Sequence, residues 1–229
     1  MSIFLDSSRI EDVRKFHAMG IIRGVTTNPS ILLKNGFRGK LENIRTHLTS
    51  ISDIIQPLPL SIGVTTNEQE EMSEQAKEIS SWGKNVNVKI PIHGPKGEVE
   101  NLEVVHRLET KENVRVNVTA MMNAQQCLLA ALAGATYVSL LGGRINNMGY
   151  DTIEEIKKIR KLLDDFNLKT KIIIGSVREI LNVGDWLNAG AHIVTVEPKF
   201  IEGLIIHPYS KETVQMFLDD AKKMELESC

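Results

Sequence analysis

Two hydrophobic periods alternate along the chain from one end to the other. Short runs rich in branched apolar residues carry an apolar side chain at every second position, which is the period of a β-strand. Longer segments between them repeat their apolar residues with the period of an amphipathic helix. The pattern predicts eight strands: residues 3–6, 24–27, 60–64, 86–92, 114–119, 137–141, 171–176 and 192–196.

Helices are predicted between most of these strands, and several are followed by a glycine that can form a left-handed C-cap. Short connections between alternating strands and helices favour parallel strands with right-handed crossovers. Eight repeats predict an α/β fold, a closed (β/α)8 TIM barrel, with an open doubly wound sheet as the alternative. No GxGxxG follows the first strand, which counts against a dinucleotide-binding sheet. The predicted helices span residues 9–19, 68–82, 104–112, 122–133, 152–166 and 177–189.

The C-terminal part adds a helix beyond the barrel. Pro208 is followed by a helical pattern over residues 211–226, so about 209–229 is predicted to be a helical extension suited to subunit packing. No linker, low-complexity tract or internal repeat divides the chain. We therefore expect a single domain over residues 1–229, a size typical of one (β/α)8 barrel.

Composition argues against several classes of partner. With 27 basic and 29 acidic residues the net charge is −2, so we expect no nucleic-acid partner. No apolar run is long enough to cross a membrane, so no membrane partner is expected. Residues 1–6 lack the order of a signal peptide and resemble a strand, which favours a cytoplasmic location.

Cysteine and histidine usage argues against disulfides and metal ions. Cys127 lies in an apolar helical segment and Cys229 is the last residue, so no disulfide framework is expected, as in a reducing compartment. The six histidines show no HExxH or similar spacing, and no CxxC motif occurs. We therefore predict metal-independent chemistry, with no cofactor.

The fourth predicted strand points one lysine into the barrel. Branched apolar residues fill alternate positions of residues 86–92, so Lys89 faces the other way together with Asn87 and Pro91. Burial lowers the pKa of a lysine, and a neutral amine can attack a ketone to give a Schiff base. The alternative is that Lys89 lies near an edge and reaches water along its stem.

The same alternation places polar side chains inward at the carboxyl ends of other strands. That end of a barrel is where active sites are built. Any single polar residue there could simply cap the barrel mouth next to water. Together, the set is better explained by a shared site: Asp6, Asn28, Lys89, Asn117, Thr119, Ser139, Arg144 and Ser176.

Several of these residues lie in motifs that resemble the transaldolase family and its smaller fructose-6-phosphate aldolase branch. The motifs are GVTTNPS at 24–30, VNVKIPI at 86–92, NVT at 117–119, YVS at 137–139 with GRI at 143–145, and IGSVR at 174–178. Matches run from Asp6 to about Pro208. The resemblance implies a (β/α)8 barrel and class I, Schiff-base chemistry on phosphorylated ketoses.

The resemblance also implies roles for individual residues. Lys89 attacks the ketose carbonyl, and Asp6 handles the proton of the hydroxyl at the cleaved carbon. Asn28 and Asn117 hold substrate hydroxyls, and Thr119 helps to hold a catalytic water. Ser139 is assigned to the substrate-binding set. Transaldolases pass the three-carbon unit to an acceptor aldose phosphate, whereas the aldolase branch releases it.

A phosphate site is expected beside these groups. Arg144 follows two glycines after the sixth strand, and Ser176 and Arg178 follow the seventh. Guanidinium groups make forked contacts with phosphate, and backbone amides near glycines or helix starts add donors. The alternative for both arginines is a surface ion pair with an acidic neighbour.

The chain departs from the family at the acid–base step. Transaldolases carry a glutamate in a Ser-x-Glu-Val pattern on the third strand, where this sequence has Gly63. The aldolase branch has a glutamine near that place and a tyrosine where this chain has Leu141. A phenylalanine common in the family after the seventh-strand serine is Val177. A general acid or base contributes about 100- to 10,000-fold, so weaker turnover is expected unless another group substitutes.

Three explanations remain open at this point. The three replacements widen the site for a different sugar phosphate, or the enzyme is slow but still forms the Schiff base, or the protein only binds sugar phosphates. We favour the first two, because Lys89, Asp6, both asparagines, Thr119 and both arginines are retained. The expected protein is a cytoplasmic transaldolase-like enzyme with a ketose donor and an aldose acceptor, with an aldolase as the alternative. Relatives assemble into rings through a C-terminal helix, so a homo-oligomer is expected.

Overall fold

Eight parallel strands close into one barrel in the computed structural model, which describes residues 1–39 and 41–226. Each strand pairs with its neighbours in chain order, and β8 pairs with β1. The predicted (β/α)8 barrel is therefore confirmed, and the open sheet is wrong. The strands are β1 Ser2–Asp6, β2 Val25–Thr26, β3 Leu60–Gly63, β4 Val86–Pro91, β5 Val116–Met121, β6 Tyr137–Leu141, β7 Lys171–Gly175 and β8 Ile193–Val196.

Helices connect the strands on the outside of the barrel. The six helices predicted between strands are present as α1, α4, α5, α6, α8 and α9. Four further helices were not predicted, namely α2, α3, α7 and α10, of which α2 and α7 have only 6 residues each. The helices are α1 Ile10–Ala18, α2 Pro29–Lys34, α3 Leu41–Ile55, α4 Gln69–Ser80, α5 Asn101–Thr110, α6 Ala124–Leu132, α7 Gly142–Asn147, α8 Thr152–Asp165, α9 Ile180–Asn188, α10 Pro198–Ile205 and α11 Pro208–Leu226.

The hydrophobic core lies between the strands and the surrounding helices. Outward residues of β4, namely Val86, Val88 and Ile90, are buried in it, as the alternating pattern predicts. A second, smaller cluster fills the inside of the barrel near the amino ends of the strands. It consists of Phe4, Tyr137, Ile173 and Ile193. The cleft described below lies at the opposite, carboxyl ends of the strands.

The C-terminal helix α11 stands apart from the barrel. All its side chains from Pro208 to Met224 are exposed, including Tyr209, Phe217 and Leu218. Residues 227–229 of the predicted extension, with Cys229, lie outside the described residues, whereas Cys127 is buried in α6. None of the described helices is both long enough and apolar enough to span a bilayer.

Candidate active site

Lys89 lies at the base of a cleft at the carboxyl ends of the strands. Its side chain is 9% exposed and lines the cleft. Across the sheet it pairs with Gly63 on one side and Asn117 on the other. Its amine makes no hydrogen bond or ion pair with any residue that the structure describes. Burial lowers the pKa of Lys89, and the charge of Asp6 opposes that shift. The alternative of a lysine reaching bulk water along its stem is therefore wrong.

Asp6 ends β1 on the opposite wall and is held by two threonines. Thr26 Oγ1 donates a hydrogen bond to Asp6 Oδ1 at 2.6 Å. Thr195 Oγ1 lies 2.5 Å from Thr26 Oγ1, and it acts as the donor because the single Thr26 hydroxyl proton points to Asp6. Burial raises the pKa of Asp6, while Lys89 and Thr26 lower it. No salt bridge joins Asp6 to Lys89, so space remains between the carboxylate and the amine for reacting atoms.

Asn28 is oriented by the helix that it caps. Its Oδ1 accepts a hydrogen bond from the backbone N–H of Ile31 at 2.9 Å, which makes it the N-cap of α2. Pro29 occupies the first helical position, where a missing N–H costs nothing. The cap leaves the Asn28 amide nitrogen as a donor on the cleft wall.

Ser139 lines the cleft, and a chain of hydrogen bonds fixes it from below. Its hydroxyl donates to Asn117 Oδ1 at 2.6 Å, and Asn117 Nδ2 donates to Ser61 Oγ at 3.1 Å. Asn117 is completely buried and is not among the residues that line the cleft. Asn117 therefore supports Ser139 from beneath in this structure, and its predicted contact with substrate stays a prediction.

Thr119 lies on the cleft wall at an irregular end of β5. The pairing of β5 with β6 shifts register between Val118 and Met121, and Ala120 has a left-handed φ of 63°. Such a bulge re-aims the side chains around it. The Thr119 hydroxyl makes no hydrogen bond to a described residue, so it is available to a water or a ligand.

The two arginines expected at a phosphate lie at the same end of the cleft. Arg144 belongs to α7 and Arg178 follows β7; both are exposed and both line the cleft with Ser176. Neither arginine forms a salt bridge within residues 1–39 and 41–226. The alternative of surface ion pairs is therefore wrong for the described part of the chain, and both guanidinium groups are free for an anion.

The cleft encloses about 580 Å³ and includes eight of the nine predicted site residues, all except Asn117. It also includes residues that the sequence analysis did not predict. Thr26 could have been found from the alternation of side chains along the second strand, because it lies in the TTNPS motif and points inward. The same alternation places Thr195 inward on the eighth predicted strand. The remaining lining residues are Leu140 and Gly175 near strand ends, and residues of loops and helices beyond the strands: Ser7, Arg9, Asp12, Ser30, Ile31, Lys34, Asn35, Glu197, Pro198, Lys199 and Glu202.

The three replaced positions differ in where they lie. Leu141 lines the cleft. Gly63 does not, and a Cβ there would lie 3.2 Å from Pro29 Cδ. Val177 is buried in the main hydrophobic core, because the left-handed φ of 63° at Ser176 interrupts the alternation of the strand. Widening of the cleft by Val177 is therefore wrong, and the space at Gly63 is restricted by the start of α2.

Comparison with known proteins identifies the family. The model of the family described as "Transaldolase/Fructose-6-phosphate aldolase" matches residues 3–228. A "Probable transaldolase" of Oceanobacillus iheyensis is 37% identical over 222 residues, covering 96% of this chain and 98% of the relative. A "Probable transaldolase" of Carboxydothermus hydrogenoformans is 37% identical over 225 residues, covering 98% and 100%.

A solved structure agrees with the fold at low sequence identity. Thiamine phosphate pyrophosphorylase from Pyrococcus furiosus superimposes with a TM-score of 0.60 at 11% identity, covering 86% of this chain and 85% of that one. At this identity the likeness concerns the barrel alone. The full-length family match and the 37% identity to relatives go further: the chain belongs to the transaldolase/fructose-6-phosphate aldolase family.

Proposed function

We propose that this protein is a class I transaldolase that forms a Schiff base between Lys89 and a ketose phosphate. The observation that carries the proposal is a buried lysine with a lowered pKa, facing Asp6 across a polar cleft. The neutral amine adds to the ketose carbonyl carbon, and the oxygen leaves as water after taking up protons. The product is a protonated imine at Lys89, which acts as an electron sink.

Asp6 is the base for carbon–carbon cleavage. It takes the proton from the hydroxyl on the far carbon of the breaking bond, and that oxygen becomes the carbonyl of the departing aldehyde. The electron pair of the broken bond moves to the imine, which leaves a three-carbon enamine on Lys89. In the transfer half-reaction the enamine adds to an acceptor aldose phosphate, whose carbonyl oxygen takes the proton back. Hydrolysis then frees the new ketose. The hydrogen bond from Thr26 to Asp6 at 2.6 Å supports this orientation of the base.

The remaining polar groups bind and orient the sugar phosphate. The Asn28 amide nitrogen and the Ser139 hydroxyl face the cleft as partners for substrate hydroxyls. Arg144, Arg178 and Ser176 bind the phosphate at the β6–β7 end, where the unpaired guanidinium groups provide forked donors. Positioned groups of this kind lower the barrier without reorganising during the reaction.

Reductive trapping tests the Schiff base. The protein is incubated with fructose 6-phosphate and borohydride, and the expected result is a substrate-dependent mass increase on the peptide that contains Lys89. Binding of the sugar phosphate without trapping would favour the alternative of a sugar-phosphate-binding protein, which the absence of a carboxylate at Gly63 suggests.

A second experiment separates transfer from cleavage. Fructose 6-phosphate is supplied with and without an aldose phosphate acceptor, and a transaldolase gives sustained product only when the acceptor is present. Steady release of a three-carbon ketone without an acceptor would favour the aldolase alternative, in line with the second half of the family description.

We also propose that the protein works as a homo-oligomer in the cytoplasm. The exposed apolar side chains of α11, among them Val214, Phe217 and Leu218, support packing against another copy of the chain. The near-neutral net charge of −2 supports small sugar phosphates rather than nucleic acid as partners.

A further inference from the structure

The third strand carries no carboxylate beside Lys89, and a Cβ there would be tightly packed. Gly63 pairs with Lys89 between β3 and β4. A Cβ at Gly63 would lie 3.2 Å from Pro29 Cδ and 3.7 Å from Asn28 Cα, so the start of α2 restricts the space that a longer side chain needs. Because Gly63 carries no carboxylate, a group that replaces the family's third-strand glutamate has to come from elsewhere in the cleft.

Glu197 brings a carboxylate to the cleft from the eighth strand. Leu5 of β1 pairs with Val196 of β8, and Asp6 and Glu197 are the residues that follow these partners. The two carboxylates are thus carried by neighbouring strand ends, and both line the cleft. The charge of Glu197 adds to the rise in the pKa of Asp6, which burial causes in the first place.

The Glu197 carboxylate is anchored through one oxygen. Lys34 Nζ lies 3.1 Å from Oε2, and Lys199 Nζ lies 3.9 Å from the same atom. Oε1 has no hydrogen-bond or ion-pair partner among the described residues. The side chain is 27% exposed, so it reaches both the cleft and the solvent. A carboxylate in this position can take up protons from water and pass them inward.

The other carboxylates of the cleft are engaged elsewhere. Among the residues that the structure describes, four carboxylates line it: those of Asp6, Asp12, Glu197 and Glu202. Asp12 accepts the Ser7 hydroxyl at 2.9 Å, and Glu202 is ion-paired with Lys15 at 2.5 Å near the surface. Glu197 is the one on a strand end adjoining that of Asp6.

We propose that Glu197, held by Lys34, is the second acid–base carboxylate of this site and takes over the proton exchange that Gly63 cannot provide. The inference rests on the proposed Schiff-base function. When the Lys89 amine has added to the ketose carbonyl, the resulting hydroxyl leaves as water once it receives a proton. Protonated Glu197 supplies that proton through a water in the cleft, and the nitrogen lone pair forms the protonated imine. This leaves Glu197 as a carboxylate, which is the form that imine hydrolysis needs.

The same carboxylate serves the reverse step. During hydrolysis of the imine it takes the proton from the attacking water, whose oxygen bonds to the imine carbon. Lys34 fixes the direction of the carboxylate and leaves Oε1 free for this exchange. Lys89 is buried at the base of the cleft, so the partly exposed Glu197 gives it a route for protons.

Glu197→Gln is the first test, because the amide keeps the shape and the contact with Lys34 but exchanges no proton. We expect kcat to fall about 100-fold, within the range of a general acid or base, with KM for the ketose phosphate nearly unchanged. Glu11→Gln is the matched control, since Glu11 is an exposed glutamate at the start of α1 that does not line the cleft. It should behave as the wild type.

Glu197→Ala gives a second readout that a merely structural role would not move. Added formate or acetate should restore part of its rate, because a small carboxylic acid can carry the proton into the vacated space. Wild-type turnover by Glu197→Gln, or an alanine variant that small acids do not rescue, would overturn the proposal.

Borohydride trapping tests the Schiff-base function of Lys89 separately from the role of Glu197. If the wild type is trapped at Lys89 and neither Glu197 variant loses turnover, the Schiff-base function is supported and Glu197 has no part in it. A wild type that is never trapped overturns both.

Discussion

Gly143 approaches the backbone of Ser176 so closely that a Cβ on Gly143 would lie 1.8 Å from the Ser176 carbonyl oxygen. A backbone atom cannot move aside as a flexible side chain can, so only glycine fits. Ser176 itself holds a left-handed φ of 63°. The contact fixes α7 against the end of β7, and with it the positions of Arg144 and Arg178 at one end of the cleft.

Gly143→Ala should therefore damage both stability and phosphate binding. We expect the free energy of unfolding to fall by about 1–3 kcal/mol, as for overpacking of a tight site, and KM for phosphorylated substrates to rise. Urea unfolding and steady-state kinetics measure the two effects. Gly184→Ala is the control, because a Cβ at Gly184 in α9 meets nothing within 4 Å. It should be neutral or stabilise by up to about 1 kcal/mol. Equal behaviour of the two variants would contradict the packing argument.

Arg144→Ala should weaken binding of phosphorylated sugars selectively. A hydrogen bond to a charged group contributes about 1.5–3 kcal/mol, which corresponds to roughly 10- to 100-fold in KM or Kd. Unphosphorylated substrates should be affected little. Arg14→Ala, an exposed arginine of α1 that does not line the cleft, controls for the loss of a surface charge. Losses of the same size for both kinds of substrate would argue against a phosphate role.

Asp6→Asn should separate imine formation from turnover. The negative charge of Asp6 stabilises the Lys89 ammonium and so raises the pKa of Lys89 against the larger lowering by burial. Removing that charge should lower the pKa of Lys89 further, so the pH of half-maximal borohydride trapping should move down. Turnover should be lost, because no base remains for the cleaved hydroxyl. A trapping profile that stays in place or moves to higher pH would show that the two groups do not interact as described.

Gly63→Glu should not restore faster turnover. The new side chain meets Pro29 at the start of α2, so we expect a loss of about 1–3 kcal/mol in the free energy of unfolding. If Glu197 carries the proton exchange, kcat on ordinary transaldolase substrates should stay level or fall. Gly63→Ala is the control for the effect of the Cβ alone. A clear rise in kcat with the fold intact would mean that the missing third-strand carboxylate limits the reaction.

Removal of α11 should change assembly more than folding. The side chains from Pro208 to Met224 are all exposed, so a chain ending at residue 207 should keep the far-UV spectrum of a folded barrel. Light scattering after size-exclusion chromatography should show a smaller assembly. Phe217→Asp should have the same effect in the full chain, whereas Glu212→Lys, on the opposite side of the helix, should not. An unchanged mass in the truncated protein would exclude α11 as the interface.

Most of the barrel could be predicted from alternation alone. Eight apolar runs at strand period with helical segments between them are enough for the fold, because parallel strands need crossovers of this kind. Four helices were not predicted. In α2 and α7, 6 residues give too few turns for a period, whereas α3 spaces Ile44, Leu48, Ile51 and Ile55 at helical period and was detectable from the sequence.

The alternation of side chains along the strands also predicted which site residues point into the barrel. It did not predict how far along the barrel axis each of them lies. Lys89 and Asn117 both point inward from neighbouring strands, yet Lys89 reaches the cleft and Asn117 is sealed beneath Ser139. How far up the barrel a residue lies depends on the stagger of the closed sheet, which a local pattern does not encode. Val177, which the resemblance to the family assigned to the site, follows the backbone turn at Ser176, and its side chain lies in the core.

The amino-acid sequence by itself determined the barrel, the inward lysine and the polar carboxyl ends, because alternation along a strand is a local property. Only the tertiary structure decided which polar residues share a cleft. Glu197 follows the last strand and Asp6 ends the first, and no local period relates residues 191 positions apart. Closure of the barrel joins β8 to β1 and so brings their ends side by side. The proposed acid–base pair of Asp6 and Glu197 depends on that closure.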